Sequence, residues 1–269
     1  MGFCLFWNMH GSTRRDLLIE LVRSRDVEVI AVAESGCEIN DVVSELNEET
    51  KREFVAPSTV VQGLQVYGLA ATGMREIYAD SSRRLTIREL NRNGTSLLLA
   101  VVHLISLAHY TEDDQDTEVQ VLSDQIRQIE DEHGHRRTIL VGDLNLNPFA
   151  PSVVKAAGLH AMMCRDSVMA GARTVQSREY PYFFNPMWGS FGDRPSQPAG
   201  TYWYRHSGHL SYDWNMFDQV LFRPKALEWY RGEVEIVTRI GDTSLVDARG
   251  RPDAAIVSDH LPIIFELAD

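Results

Sequence analysis

Carboxylates, amides and imidazoles recur in this sequence where apolar runs stop. The densest case is Thr138 to Pro148, T-I-L-V-G-D-L-N-L-N-P. Thr138 to Val141 is a short apolar run of the kind that fills a buried strand, and Gly142 lets the backbone turn tightly. Asp143 and Asn145 follow with one residue between them, so in an extended chain both point to one side of the strand's end. Such a pair suits phosphoester hydrolysis. A carboxylate orients or deprotonates water, and an amide N–H donates to a phosphoryl oxygen or steadies the carboxylate. Taken alone, a turn built from Gly, Asp, Asn and Pro explains the same letters at least as well.

The pattern repeats along the chain. Asn8 follows the apolar run Phe3 to Trp7, Glu34 ends Val27 to Ala33, and His103 lies near the end of Ser96 to Leu104. Asp218 lies near the start of Met216 to Phe222, and Ser258-Asp259-His260 immediately precede Leu261 to Leu267. Singly, these are a turn amide, a surface carboxylate, a core histidine and turn caps. Together they form the inventory for metal-assisted attack of water on a phosphoester, each residue where a strand reaches the rim of a sheet.

The elements that must position them are legible in outline. Phe3 to Trp7 reads as a strand, Ser12 as the N-cap of a helix with Leu17, Leu18, Leu21 and Val22 on one face, and Val27 to Ala33 as a second strand. Strand, helix and strand within about 30 residues allow parallel pairing. Phe54 to Ala56, Leu64 to Ala70, Arg84 to Arg88 and Ser96 to Leu104 read as successive short strands, with a spacing that favours antiparallel sheet. Gln115 to His133 is the clearest helix, striped by Val119, Leu122, Ile126 and Ile129. Pro151 to Ala157 and Cys164 to Ala170 read as short helices; Met216 to Phe222, Val234 to Val237 and Leu261 to Leu267 read as strands. Residues 177–214 read as a long, aromatic-rich loop over the surface. His133-Gly134-His135 reads as a helix end and turn.

The 269 residues, 44% hydrophobic and 24% charged, suffice for one large core, and no linker or repeat divides them. A single domain spanning residues 1–269 is expected, mixed α/β of the α+β class, with helices outside sheets packed face to face. No stretch is apolar enough to cross a membrane. Met1-Gly2 leads into Phe3-Cys4 without a basic region, so no signal peptide is expected. Cys4, Cys37 and Cys164 are odd in number and widely spaced, which fits a reducing compartment, and a cytoplasmic location is expected. The net charge of −12 argues against indiscriminate nucleic-acid binding. Acid concentrated on a remote face such as Glu112 to Glu132 weakens that argument.

Six motifs in order carry a resemblance: W-N at Trp7-Asn8, Glu34 ending V-I-A-V-A-E, V-H-L around His103, V-G-D-L-N at Val141 to Asn145, F-D-Q-V-L around Asp218 and S-D-H-L-P at Ser258 to Pro262. The set resembles the endonuclease/exonuclease/phosphatase family, whose DNase I-like and exonuclease-III-like members are metal-dependent phosphoesterases. The resemblance implies a four-layer α/β/β/α sandwich of two mostly antiparallel sheets, with the site at one edge where they meet. It implies Mg²⁺ or Mn²⁺ held by Glu34, with Asp259 and Asn8 contributing. It further implies Asp143 aligning the attacking water, Asn145 stabilising developing charge, and His260 binding phosphate with its ring fixed by Asp218. His103 matches a second histidine that contacts phosphate or the leaving group. His10 stands where abasic-site endonucleases carry Asp, as a donor to a metal-holding residue, a softer ligand favouring Mn²⁺ or a surface imidazole. His103 stands where those enzymes carry Tyr, so their specific activity is not expected, and the inositol-phosphatase signature is absent around Asp213 to Asp218.

Specificity is expected from the aromatic stretch. Trp188, Tyr202, Tyr204 and Arg205 are the candidate substrate-binding residues, able to stack unpaired bases; covering the sandwich edge is the alternative use of the same side chains. The expected activity is divalent-metal-dependent phosphodiester hydrolysis, with DNA or RNA as substrate. A small or lipid phosphoester is the alternative substrate, and a binding module without chemistry a third possibility.

Overall fold

The computed structural model describes residues 2–57, 63–194 and 197–268. The chain opens with β1 (Gly2–Asn8), α1 (Arg15–Arg25), β2 (Val27–Ala33) and α2 (Ile39–Thr50). It continues through β3 (Phe54–Val55), β4 (Leu64–Leu69), β5 (Arg75–Ala79), β6 (Leu85–Arg92) and β7 (Thr95–His103). Then come α3 (Glu112–Glu132) and β8 (Thr138–Asp143). One sheet has six strands in the order 230–236, 263–267, β1, β2, β4, β3. The other has seven, in the order β5, β6, β7, β8, 218–222, 183–184, 161–162.

Side-chain alternation shows how the layers stack. Leu97, Leu99 and Val101 of β7 and Ile139 and Val141 of β8 share a core with Phe6 and Ile30 of the six-stranded sheet. Leu98, Ala100, Val102 and Leu140 turn the other way and pack with Val119, Leu122, Ile126 and Ile129 of α3. Strands covered on both faces are apolar without alternation, which is why β1, β2 and β8 read as continuous runs. Helix α3 is started by a capping box: Thr111 Oγ1 accepts from Asp114 N–H at 3.1 Å, and Asp114 Oδ2 accepts from Thr111 N–H at 2.9 Å. With α1 and α2 packed on the six-stranded sheet through Leu17, Leu18, Leu21, Val22, Val42 and Leu46, the result is the four-layer α/β/β/α sandwich.

Several local expectations need correction. Ser12 does not cap α1; Arg14 occupies that position, and Ser12 Oγ accepts from Arg14 N–H in the turn before it. Neither α2, whose Val42 and Leu46 sit one turn apart and are buried, nor the edge strand β5 is among the elements expected above. The middle strands do not form one sheet: β3 and β4 join the first, and β5 to β7 the second. Residues 177–214 are not simply a surface loop. Phe183-Phe184 is a strand of the seven-stranded sheet, and Phe183 and Met187 are completely buried. Further along, Tyr202–Tyr204 pairs with Asp213–Asn215 as a hairpin. Residues 195 and 196 of that stretch lie outside the described residues.

Strand direction explains why the chemistry gathers at one rim. β1 is parallel to β2, and β7 to β8, so Asn8, Ala33, His103 and Asp143 all lie at strand ends on the same edge. The strand Asp218–Phe222 is antiparallel to β8, so it brings its first residue there instead, and Ile263–Leu267 does the same against β1. A parallel strand delivers its end to this edge and an antiparallel strand its beginning. Gly142 lets β7 and β8 close up just before the rim, since a Cβ there would lie 1.9 Å from the Val102 carbonyl oxygen.

Candidate active site

The site is built across the gap between the two sheets. Asn8, at the end of β1, donates through Nδ2 to Glu34 Oε1 at 3.1 Å and to Asp143 Oδ2 at 3.0 Å. One buried amide thus joins a carboxylate on its own sheet to one on the opposite sheet. Its Oδ1 accepts from His10 N–H at 3.0 Å, which fixes the amide's orientation. Glu34 adopts a left-handed backbone (φ 48°) and donates its N–H to Gly63 O at 2.8 Å, so the chain breaks from β2 at this residue. His103 Nε2 lies 3.3 Å from Glu34 Oε1 and 3.8 Å from Asp143 Oδ2.

On the other side, His260 Nδ1–H donates to Asp218 Oδ2 at 2.8 Å, and Nε2 lies 3.9 Å from Asp143 Oδ2. Asp218 and His260 are both buried. Burial by itself pushes the imidazolium's pKa down; Asp218, Asp143 and Asp259 override it and hold His260 up to about 10. Burial raises Asp218, and His260 opposes that rise. The pair therefore carries its proton on His260 through neutral pH. Replacing Asp218 with Asn removes the chief support, and the His260 pKa should fall by at least about one unit, read from ring resonances in a metal-free NMR titration. An unchanged titration would show that Asp218 does not set the charge of His260.

The structure brings Asn8, Glu34, His103, Asp143, Asp218 and His260 into one connected cluster. Asn145 stands beside it but differently from expectation. Its φ of 50° breaks the extended chain, so Asp143 and Asn145 do not simply project side by side. Its N–H donates to Asp143 Oδ1 at 2.8 Å, and its side-chain Nδ2 donates to Leu104 O at 2.9 Å. Asp259 pairs with the exposed His10, Nδ1 to Oδ1 at 3.3 Å, so His10 flanks this carboxylate. Tyr202 packs its ring on His260, centroids 4.7 Å apart, and stacks on Phe217 at 5.2 Å. Burial, then Asp259, pushes the Tyr202 hydroxyl up to about 12. Tyr204 is exposed on the hairpin, and Arg205 is paired with Asp213 at 2.6 Å, so its charge is already answered. Trp188 packs on Phe149 at 6.3 Å in an aromatic group with Phe191 and Tyr212, and no contact joins it to the cluster among the described residues.

Three supporting residues were not assigned from sequence. Ser258 Oγ donates to Asn8 O at 2.7 Å and accepts from His260 N–H at 3.0 Å, tying the last motif to the first. Thr201 Oγ1 accepts from Asp218 N–H at 3.2 Å. The Trp7 indole N–H donates to His260 O at 3.1 Å. The serine of S-D-H was the legible signal; Thr201 had none, because its partners lie elsewhere in the chain.

Four carboxylates (Glu34, Asp143, Asp218 and Asp259) with two amides make a hard oxygen donor set, which suits a divalent cation such as Mg²⁺. Glu34 Oε2 has no partner among the described residues, and Asp259 Oδ1, buried without an aligned hydrogen bond, has the His10 ring 3.3 Å away. Asp143, Asp218 and His260 also converge, with one ligand atom from each within 4.8 Å of the others. A cation there would have to part Asp218 from His260, whereas Glu34 keeps one carboxylate oxygen without a partner among the described residues. A cavity of about 520 Å³ opens at the opposite end of β8, lined by Glu130, Arg136, Arg223 and Lys225. Within the cluster Asn8, Asp143, Asp218 and His260 are buried, and Glu34 and His103 are partly exposed.

The sequence profile of the Endonuclease/Exonuclease/phosphatase family matches residues 5–260, which encloses every residue of the cluster. The chain belongs to this family. Solved endonuclease/exonuclease/phosphatase-type structures agree in fold. A D. rerio TDP2 complexed with single-strand DNA product superposes with a TM-score of 0.59 at 16% identity, over 100% of this chain and 99% of that one. A family protein from Bacteroides thetaiotaomicron gives 0.60 at 11%, over 99% and 97%. The endonuclease domain of TRAS1, a telomere-specific non-LTR retrotransposon, gives 0.54 at 11%, over 100% and 99%. At such identities the likeness concerns the fold. No curated protein matches the chain. Members of the family are phosphoester hydrolases, and among the described residues no helix is long and apolar enough to cross a membrane.

Proposed function

We propose that the protein is a divalent-metal-dependent phosphodiesterase that cleaves nucleic acid by direct attack of water. The observation that carries the reading is the Asn8 amide shared between Glu34 and Asp143 across the two sheets, with His103 and the Asp218–His260 pair around it. Glu34, with Asp259 and Asn8, would hold Mg²⁺ or Mn²⁺, which when bound supplies Lewis-acid stabilisation of phosphoryl charge. Asp143 is held at both oxygens, by Asn8 Nδ2 and Asn145 N–H, and in that fixed orientation it aligns the water and takes its proton. His260, charged and steadied by Asp218, donates to a phosphoryl oxygen as negative charge develops. His103, with Nε2 3.3 Å from Glu34 and 3.8 Å from Asp143, would assist the leaving oxygen.

The exposed Tyr204 of the hairpin offers an aromatic face for unpaired bases, while Tyr202 backs the His260 ring. The net charge of −12 favours a second reading, a small or lipid phosphoester handled by the same residues. A cytoplasmic location is proposed with either reading, from three cysteines that are all free.

Labelled single- and double-stranded DNA and RNA, incubated with Mg²⁺, Mn²⁺ or EDTA, test the reading. Cleavage is expected with either metal and none with EDTA. Binding should weaken as salt rises, because phosphate contacts release counterions. Failure on every strand, with hydrolysis of a small phosphodiester, would favour the second reading.

A further inference from the structure

Two buried side chains at the far end of β8 from Asp143 form only half of the fork they could make. Arg223 Nε donates to Glu130 Oε1 at 2.8 Å. In a guanidinium, Nε–H and one N–H of the amino nitrogen beside it point the same way and can take both oxygens of a carboxylate. Here the second leg is missing. Arg223 Nη2 and Glu130 Oε2 are buried and have no hydrogen-bond partner among the described residues. Arg136 Nε stands 3.8 Å from Oε2, beyond hydrogen-bond reach. The guanidinium is not free to turn: Nη1 donates to Pro181 O at 2.9 Å and Tyr182 O at 3.2 Å, and its face lies 3.8 Å from the Phe183 ring centroid. A bare donor and a bare acceptor therefore lie side by side, where unpaired polar groups are costly.

Both residues border the cavity of about 520 Å³. It lies between the end of α3 and a hairpin in which Ala172–Val175 pairs with Arg178–Pro181. Asp131, Glu179 and Lys225 of its lining are exposed and Glu130 and Arg223 are buried, so the bare donor and acceptor stand at its inner end. The lining is electrically balanced, with Glu130, Asp131 and Glu179 set against Arg136, Arg223 and Lys225. Burial, then Arg137, holds His135 below its ordinary pKa, so it adds no charge at neutral pH. Gly171, Ala172, Pro181 and Pro224 supply small or flat apolar wall. A cavity of this size, mostly apolar with a few converging polar groups, suits a small molecule, and the balanced charge favours an uncharged one.

We propose that this cavity binds a nucleobase, free or as its nucleoside, whose edge completes the fork between Arg223 and Glu130. The base presents an acceptor to Arg223 Nη2 and the adjoining donor to Glu130 Oε2. Base edges carry such adjoining pairs, as O6 and N1–H do in guanine. A simple amide offers the same pair on a much smaller face and would leave most of the cavity unfilled. The site lies at the opposite end of β8 from the catalytic cluster, so the proposal stands apart from the nuclease reading.

The test titrates the whole chain, kept in EDTA, with guanosine, adenosine, cytidine and uridine, followed by calorimetry and by amide NMR. At least one nucleoside should bind with a Kd of about 1 mM or tighter. The amides of Gly134 and Gly171, which line the cavity, should shift, while Gly11 and Gly142 near the catalytic cluster stay in place. Ala170→Trp sets a large ring on the cavity wall and should weaken binding by about tenfold or more, at an unchanged melting temperature. Asp143→Asn should bind as the wild type does. The NMR shifts report the site in the wild-type chain even if Ala170→Trp folds poorly. No binding of any nucleoside at about 1 mM, or shifts confined to the catalytic rim, would overturn the proposal and leave water to join Nη2 to Oε2.

Discussion

Asp143→Asn should lower metal-dependent cleavage by about a thousandfold or more, with little change in substrate binding. The substitution keeps the shape of the side chain and removes its basicity. Asp143 receives Asn8 Nδ2 on one oxygen and Asn145 N–H on the other, and both His103 Nε2 and His260 Nε2 lie within 4 Å of it. No other carboxylate in the cluster is placed to take over: Asp218 is committed to His260, and Glu34 sits across the gap on the other sheet. Single-turnover cleavage at saturating Mg²⁺ separates the chemical step from binding, and a thermal melt shows whether the variant folds. A folded Asp143→Asn enzyme within tenfold of wild type would remove Asp143 from the role of base.

Glu130→Ala should destabilise the fold by about 3–5 kcal/mol, because it strands a buried cation. Arg223 and Glu130 are both buried, and Arg223 Nε donates to Glu130 Oε1 at 2.8 Å. Arg223 Nη1 also donates to Pro181 O at 2.9 Å, and its guanidinium lies 3.8 Å from the Phe183 ring centroid. Burial pulls the Arg223 pKa down, and Glu130 chiefly opposes that. Removing the acid leaves the desolvated guanidinium uncompensated. The double variant Glu130→Met/Arg223→Met should regain most of the loss, since apolar replacement of a whole buried pair is often close to neutral. Urea unfolding of the single and double variants measures both values. Arg223 joins Thr138, at the far end of β8 from Asp143, and five strand residues span about 17 Å. Cleavage by the folded fraction of Glu130→Ala should therefore stay near wild type. A loss below 1 kcal/mol would show that the pair is not held as tightly as the geometry requires.

Local signals and long-range contacts divide the account of this protein. Continuous apolar runs placed β1, β2, β7 and β8, because strands covered on both faces have no polar side to show. The stripe on α3 was equally plain, since its buried positions repeat at helical spacing. The stretch 177–214 misled because its Pro, Gly and aromatic residues resemble a loop. Its two-residue strand at Phe183-Phe184 depends on neighbours from elsewhere in the chain. Asn145 misled for a related reason: Gln115 and Leu104 hold the chain after Asp143, and neither is near it in sequence.

By itself the sequence determined which residue types stand at strand ends, and so which chemistry the protein can support. It also determined the family, because ordered motifs survive without contact information. Tertiary structure alone decided that Asn8 bridges Glu34 and Asp143 and that Ser258 ties His260 to β1. Those relations follow from strand direction and register. Both are set by pairing between distant segments, Gly2 with Leu267 at the extreme, which no local spacing records.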